Sequence, residues 1–291
     1  MTSDHRLTHL TAACKQVGLD PGDAVLLRYH VNAVYYLPHA HAVARLSPAR
    51  RLDQARRGVD VTRWLITEGF PATAPLDVEQ PVQIDDYVAT FWRYYDQTGR
   101  ALPPLYELAR LLRQLHDIGP PRHQLPAYQP LTSFIDELEA FGPKVLTTAE
   151  YDFLRNRAKE LLDTYPRLVS TLGAGLVHGD ARLGNLLWDQ EVVVLGDWDS
   201  VSIGPRELDL VVTYQGTRYG RSEADLDDFS RAYGWDVRQW TGYPVLRTIR
   251  DLQTLSAPLR LAVDRPDVAG ELRHRVRGLI AGDQAQQWHA F

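Results

Sequence analysis

The stretch Leu176-Val177-His178-Gly179-Asp180-Ala181-Arg182-Leu183-Gly184-Asn185-Leu186-Leu187-Trp188, followed by Val192-Val193-Val194-Leu195-Gly196-Asp197-Trp198-Asp199, constrains this chain more than any other. It reads as an apolar strand, a tight polar loop and a second apolar run. A short turn at Asp189-Gln190 then leads into a third apolar run that ends on an acid. Asp180, Asn185 and Asp197 therefore fall at loop or strand ends, where a rigid scaffold presents chemistry.

The spacing has a specific meaning. An Asp followed five residues later by an Asn, then by a second Asp after a β-hairpin, is the arrangement that phosphoryl transfer uses. Asp180 would orient the acceptor hydroxyl and take its proton. Asn185 and Asp197 would hold Mg²⁺ against nucleotide phosphates. Mg²⁺ takes hard oxygen ligands and keeps several waters, so one carboxylate and one amide oxygen suffice. Positioning and charge neutralisation carry the barrier in such chemistry. The alternative is a buried hairpin whose polar loop is only a turn, which leaves the kinase order of these residues without a reason.

The motifs His178-Gly179-Asp180-x-x-x-x-Asn185, Asp197-Trp198-Asp199 and Gly204-Pro205-Arg206-Glu207-x-Asp209-Leu210 resemble those of the aminoglycoside phosphotransferase and choline kinase superfamily. These are small-molecule kinases with a protein-kinase-like fold, and the similarity covers most of the chain. The resemblance implies an α+β, bilobal architecture: a small antiparallel β-sheet N-lobe and a larger, mostly helical C-lobe. Residues 1–93 would form the nucleotide-binding N-lobe, and residues 94–291 the catalytic loop and acceptor-binding helical region. His178 resembles a scaffold histidine that ties the loop backbone. Arg182 lies where a cation would reach the transferring phosphoryl. Asp199 is a second metal contact or a loop brace, with the brace favoured.

Residues 5–17 repeat apolar positions at helical spacing, and residues 24–29, 33–37 and 42–46 read as an antiparallel β-meander. In the family the first hairpin covers the nucleotide phosphates and the third strand carries a Lys that contacts them. The loop Tyr29-His30-Val31-Asn32 has no glycine for close backbone approach, and the strand position holds Arg45. Arg45 and Asn32 are the implied phosphate-side contacts, Arg forking where Lys would act as a point charge. A helix over residues 51–68 should supply the strand cation's acidic partner. Aligning on Trp64-Leu65 puts Gly58 there, which leaves the pair to Asp60, to Asp53 or absent. A hairpin around Asp85-Asp86 leads to Thr90-Phe91-Trp92-Arg93-Tyr94-Tyr95, which resembles the interlobe hinge. Phe91, Trp92 and Tyr94 would flank the base of ATP or GTP, with ordinary core packing the alternative for Phe91 and Trp92.

Beyond the hinge the pattern predicts helices over 105–116, 131–141, 148–163, 208–214, 222–233, 244–261 and 268–288, the second and third split by Gly142-Pro143. Asp136, Glu137 and Glu139 read as a solvated acidic face more readily than as an ammonium site. Aromatics at Tyr214, Tyr219, Tyr233, Trp235, Trp240 and Tyr243 either pack between helices or stack on an acceptor ring.

A net charge of −5 gives no global field for nucleic acid or an anionic membrane, and Arg50, Arg51, Arg56 and Arg57 read as a solvated helix face. No apolar run approaches membrane-spanning length. Cys14 is the only cysteine, so no intrachain disulfide forms, in keeping with a reducing cytoplasm. The expected protein is thus a cytoplasmic, Mg²⁺-dependent O-phosphotransferase, monomeric or homodimeric. It would act on a small-molecule hydroxyl acceptor such as an aminoglycoside, another antibiotic or a related metabolite. The alternatives are a choline/ethanolamine-type amino-alcohol kinase and a pseudokinase that binds nucleotide without turnover. A metal hydrolase built on His178 lacks a second His at ligand spacing.

Overall fold

The computed structural model describes residues 3–29, 32–119 and 124–290. His30 and Val31 of the glycine-free loop, and Pro120 to His123 around the expected Pro-rich connection, lie outside the described residues. The chain divides into two compact units, Met1–Leu125 with His178–Ser202, and Pro126–Val177 with Ile203–Phe291. This division follows compactness, and the lobe boundary after residue 93 is a separate matter.

The chain begins with α1 (Ser3–Gln16), β1 (Val25–Tyr29), β2 (Ala33–Leu37), β3 (Ala42–Pro48), α2 (Leu52–Thr67), β4 (Val82–Ile84), β5 (Tyr87–Arg93) and α3 (Leu105–Asp117). It continues through α4 (Thr132–Val145), α5 (Thr148–Thr164), β6 (Ala174–Val177), β7 (Leu186–Asp189), β8 (Val192–Leu195) and β9 (Ser202–Pro205). It ends with α6 (Glu207–Tyr214), α7 (Glu223–Tyr233), α8 (Tyr243–Gln253), α9 (Ser256–Leu261) and α10 (Pro266–Ala281). The architecture is α+β, with an antiparallel N-terminal sheet and a mostly helical remainder.

In the first unit the sheet order is β1-β2-β3-β5-β4, with every recorded pairing antiparallel. Side chains alternate across the pleat, so each strand serves two faces. On one face Ala42, Ala44 and Leu46 of β3 and Ala89 and Phe91 of β5 are buried against Leu10, Ala13 and Cys14 of α1. Those three helix positions share one stripe because they fall at i, i+3 and i+4. The opposite face carries Val43, Arg45 and Ser47 of β3 with Thr90 and Trp92 of β5. The register sets Arg45 beside Thr90 and Val43 beside Trp92.

The β7–β8 hairpin belongs to this unit. Leu186 pairs with Leu195 and Asp189 with Val192, and the turn residue Gln190 takes φ 55°. The segment after α2 runs alongside β8: Leu195 N–H donates to Pro71 at 2.9 Å and Thr73 N–H to Leu195 at 3.0 Å. That parallel contact fixes where the chain leaves β8, and so where Gly196-Asp197 begins. Gln97 ties the hairpin to the strand exit. Its amide accepts from Trp188 N–H at 3.0 Å and donates to Trp188 C=O at 2.9 Å.

In the second unit three predicted helix boundaries are corrected. Gly142-Pro143 does not end the first acidic helix; α4 runs to Val145 with Pro143 inside it. Pro143 falls in the last turn, where little helix remains to disrupt. Gly142 serves close packing instead, since a Cβ there would lie 2.8 Å from the Tyr151 ring of α5. The helix expected over 244–261 is two, α8 and α9, and Pro258 sits in the first turn of the second. The last helix stops at Ala281, where Gly282 takes φ 67° and Asp283 N–H reaches back to Gly278 C=O at 2.9 Å, a glycine C-cap. Tyr214, Tyr233 and Trp240 are buried, so these aromatics pack between elements, and Glu137 pairs with Arg260.

Candidate active site

A cavity of about 580 Å³ lies wholly within the first unit, between the polar face of the sheet, the N-terminal half of α2 and the segment Gly184–Asp199. Its volume is in the range of small-molecule and cofactor sites. It brings together Arg45, Trp92, Tyr94, Asn185 and Asp197 from the sequence-derived set.

The loop that carries the motif is held from below. His178 is fully buried; its Nε2 lies 2.9 Å from Gly196 C=O, and its Nδ1 lies 3.3 Å from Asp180 N–H. One tautomer serves both contacts, with Nε2 donating and Nδ1 accepting. The ring therefore links the start of the loop to the residue before Asp197. Gly179 takes φ 82°, and a Cβ there would lie 2.6 Å from Ser200 C=O, so only glycine fits. Asn185 Nδ2 donates to Asp180 C=O at 2.9 Å, and Asn185 C=O accepts from Gly196 N–H at 2.9 Å. The first bond commits the amide's donor side and leaves Oδ1 as the atom the side chain has for a hard cation.

Asp197 adopts the left-handed conformation, φ 65° and ψ 56°. A non-glycine residue in that region costs of order 1 kcal/mol or more, and such strain concentrates at functional sites. A carboxylate and an amide oxygen on one cavity wall fit the donor set Mg²⁺ takes, with water completing the shell. Asp180 and Arg182 are not among the cavity-lining residues; Arg182 Nε lies 3.3 Å from Asp180 Oδ2.

Arg45 is the hub of the site. Its Nη1 donates to Asp199 Oδ1 at 2.8 Å and to Asp197 Oδ1 at 3.2 Å, and its Nη2 donates to Asp199 Oδ2. With the Asn32 amide oriented by its hydrogen bonds, its oxygen accepts from Arg45 Nη2 and from Nε at 3.0 Å, and its nitrogen donates to Ser47 Oγ at 3.0 Å. Burial works to lower the Arg45 pKa, but Asp199 and Asp197 together hold it above the ordinary value. Burial pushes the Asp199 carboxyl up against the pull of Arg45, and Asp197 adds to the rise. The expected helix acid is not found. Asp53 and Asp60 are exposed on α2, and the partner of Arg45 comes from the loop after β8.

Trp92 and Tyr94 face the cavity; Trp92 Nε1 donates to Thr90 Oγ1 at 2.9 Å, and Tyr94 packs tilted against Tyr36 with centroids 4.2 Å apart. Phe91 takes the core alternative: its ring is fully buried on the opposite face of β5. Its backbone is also engaged, N–H with Gln80 Oε1 at 2.7 Å and C=O with Leu76 N–H at 2.9 Å. Neighbouring strand residues point to opposite faces, so Phe91 and Trp92 cannot both line one wall.

Sequence reasoning missed Gln54, whose Nε2 donates to Asp199 C=O at 3.1 Å, and the approach of Gly58 to the same loop. Residues 54 and 58 are one helical turn apart on one face, and that spacing was the available signal.

The sequence profile of the phosphotransferase enzyme family (APH) matches residues 28–249. The chain belongs to this family: it is a phosphotransferase, a kinase with an alcohol group as acceptor. No curated protein sequence matches it. Solved structures similar in fold include amicoumacin kinase hAmiN in complex with AMP-PNP, Ca²⁺ and Ami, with TM-score 0.74, 15% identity and coverage of 99% of this chain and 96% of that one. A choline/ethanolamine kinase family protein from Mesorhizobium loti aligns with TM-score 0.66 at 16% identity, over 98% of this chain and 97% of that one. A spectinomycin phosphotransferase in complex with ADP and spectinomycin aligns with TM-score 0.64 at 16% identity, over 98% and 99%.

Proposed function

We propose that this chain transfers the γ-phosphoryl group of MgATP or MgGTP to a hydroxyl of an aminoglycoside, another antibiotic or a related small metabolite. The observation that carries the reading is the single cavity in which Arg45, Asn185 and Asp197 face an aromatic wall of Trp92 and Tyr94. Cation, metal-ligating oxygens and apolar wall are what a nucleoside triphosphate needs at its phosphates and its base. Mg²⁺, when bound, would neutralise charge on the phosphate oxygens.

In this reading the base lies against Trp92 and Tyr94, with Phe91 backing the wall from the core. Asn32 holds Arg45 in place, and Arg45 contacts the phosphates. Asn185 and Asp197 hold the metal. Asp180 orients the acceptor hydroxyl and accepts its proton, and Arg182, 3.3 Å from Asp180 Oδ2, offers positive charge to the group in flight. The division into an N-lobe, 1–93, and a C-lobe, 94–291, belongs to the same proposal. So do a cytoplasmic location, monomeric or homodimeric state, and partners confined to small molecules rather than nucleic acid or membrane. No helix of the described residues is long and apolar enough to cross a membrane.

The likeness to kinases solved with amicoumacin-type and spectinomycin ligands supports an antibiotic acceptor, and the likeness to a choline/ethanolamine kinase family protein keeps amino-alcohols on the test panel. The experiment is phosphate transfer from labelled ATP and GTP to aminoglycosides, other antibiotics, choline and ethanolamine. Transfer to none of them, with nucleotide still bound, would turn the reading toward a pseudokinase.

A further inference from the structure

Resting on the donor-site reading above, we propose that Asp199 is the positioning residue for Arg45, and that its carboxylate occupies a place within reach of position 58 of α2. The guanidinium has five N–H groups in a planar fork. Among the described residues, Nε and one edge of Nη2 are turned to Asn32, the remaining edge of Nη2 and one of Nη1 to Asp199, and the last to Asp197. Asn32 and Asp199 thus hold two sides of the plane. The third side, on Asp197, has the longer bond at 3.2 Å against 2.8 Å to Asp199 Oδ1. That side is the one Arg45 can turn to a phosphate oxygen without leaving its seat. A lysine has no fork and could not be held this way.

Asp199 is itself anchored. Gln54 Nε2 holds its backbone carbonyl, and Arg51 Nη1 stands 3.9 Å from Oδ2. Trp198 beside it is buried, donates through Nε1 to Leu195 C=O at 2.9 Å, and meets Phe70 edge-on with centroids 5.6 Å apart. A carboxylate on so fixed a base sets the direction of the fork rather than following it.

Gly58 supplies the second observation. A Cβ built there lies 3.7 Å from Trp198 C=O and 4.0 Å from Asp199 Oδ1. Both are ordinary contact distances, so a Cβ fits, and a side chain would start beside the very oxygen that binds Arg45. The cation's counter-charge is therefore carried by the loop while the helix keeps a glycine. An acid at position 58 should be able to take the role over. An acid there is also a better helix former than glycine.

The test compares wild type, Asp199→Asn and the double variant Asp199→Asn/Gly58→Glu, titrating each with MgATP, MgGTP and adenosine by calorimetry. Asp199→Asn should weaken binding of the preferred triphosphate about tenfold, the scale of one charge-assisted hydrogen bond. Adenosine, which has no phosphate for Arg45 to meet, should bind as to wild type. The double variant should recover triphosphate affinity to within about threefold of wild type. Unchanged triphosphate affinity in Asp199→Asn, an equal loss for adenosine, or no recovery in the double variant would each overturn the proposal. If Asp199→Asn does not fold alone, a double variant that folds and binds triphosphate supports the exchange, and one that also fails to fold overturns it. A wild-type protein that binds none of the three removes the donor-site reading itself and this inference with it.

Discussion

Arg45 on β3 and Asp199 after β8, 154 positions apart, meet through both Nη atoms of the guanidinium and both oxygens of the carboxylate. The pairing uses the planar fork, which an ammonium lacks. Arg45→Lys keeps the charge but cannot span Asn32, Asp197 and Asp199 together. Its MgATP affinity should fall about tenfold, the scale of one lost charge-assisted hydrogen bond, with adenosine affinity unchanged. Calorimetric titration checks this, and a wild-type affinity in the lysine variant would contradict it.

Metal dependence follows from the donor set at Asn185 and Asp197. Thermal stabilisation by ATP should be large with Mg²⁺ and small in EDTA, because without the ion the triphosphate charge faces two carboxylates, Asp197 and Asp199. Asn185→Ala removes one oxygen and should raise the Mg²⁺ concentration needed for half the effect by about tenfold. Differential scanning fluorimetry over a Mg²⁺ series reads both.

Gly179 should tolerate no side chain. Its φ of 82° and the 2.6 Å approach of a Cβ to Ser200 C=O combine backbone strain with a steric clash. Gly179→Ala should cost about 2 kcal/mol. For a chain of this size that lowers Tm by about 3 °C, measurable by calorimetry.

Acid sensitivity has a source in the second unit. Burial works to raise the Asp236 pKa, but hydrogen bonds from Arg238, its charge and the Tyr214 hydroxyl hold the carboxyl below its ordinary range. The folded state therefore keeps Asp236 ionised at a pH where the unfolded chain protonates it. The stabilisation is complete above the ordinary carboxylate value, near 4, and is lost as pH falls through the lowered folded value. Asp236→Asn should be less stable than wild type at neutral pH and should converge with it in acid. Tm measured from neutral pH down to pH 3 tests the convergence.

What the sequence revealed divides along chain distance. Asp180, Asn185 and Asp197 sit within one loop-and-hairpin, so their nearness is legible from their order, and Asn185 does reach back to Asp180 C=O, while only Asn185 and Asp197 line the cavity. The β-meander was legible from its alternating pattern. The partner of Arg45 is not, because nothing local marks a residue 154 positions away, and the family resemblance points to α2, where Gly58, Asp53 and Asp60 stand. The pairing of Phe91 with Trp92 was a different kind of miss. Strand alternation already separates them, and that rule outranks the hinge resemblance. Pro143 has the look of a stop in the sequence, but its place in a final turn lets the helix tolerate it.

The most direct measurement of the account is phosphate transfer from labelled ATP and GTP, across the acceptor panel, by wild type and Asp180→Ala. Wild type should transfer to at least one hydroxyl acceptor, and Asp180→Ala should lose transfer by about a hundredfold or more while binding MgATP nearly as well. An Asp180→Ala protein that transfers phosphate at the wild-type rate would contradict the assignment.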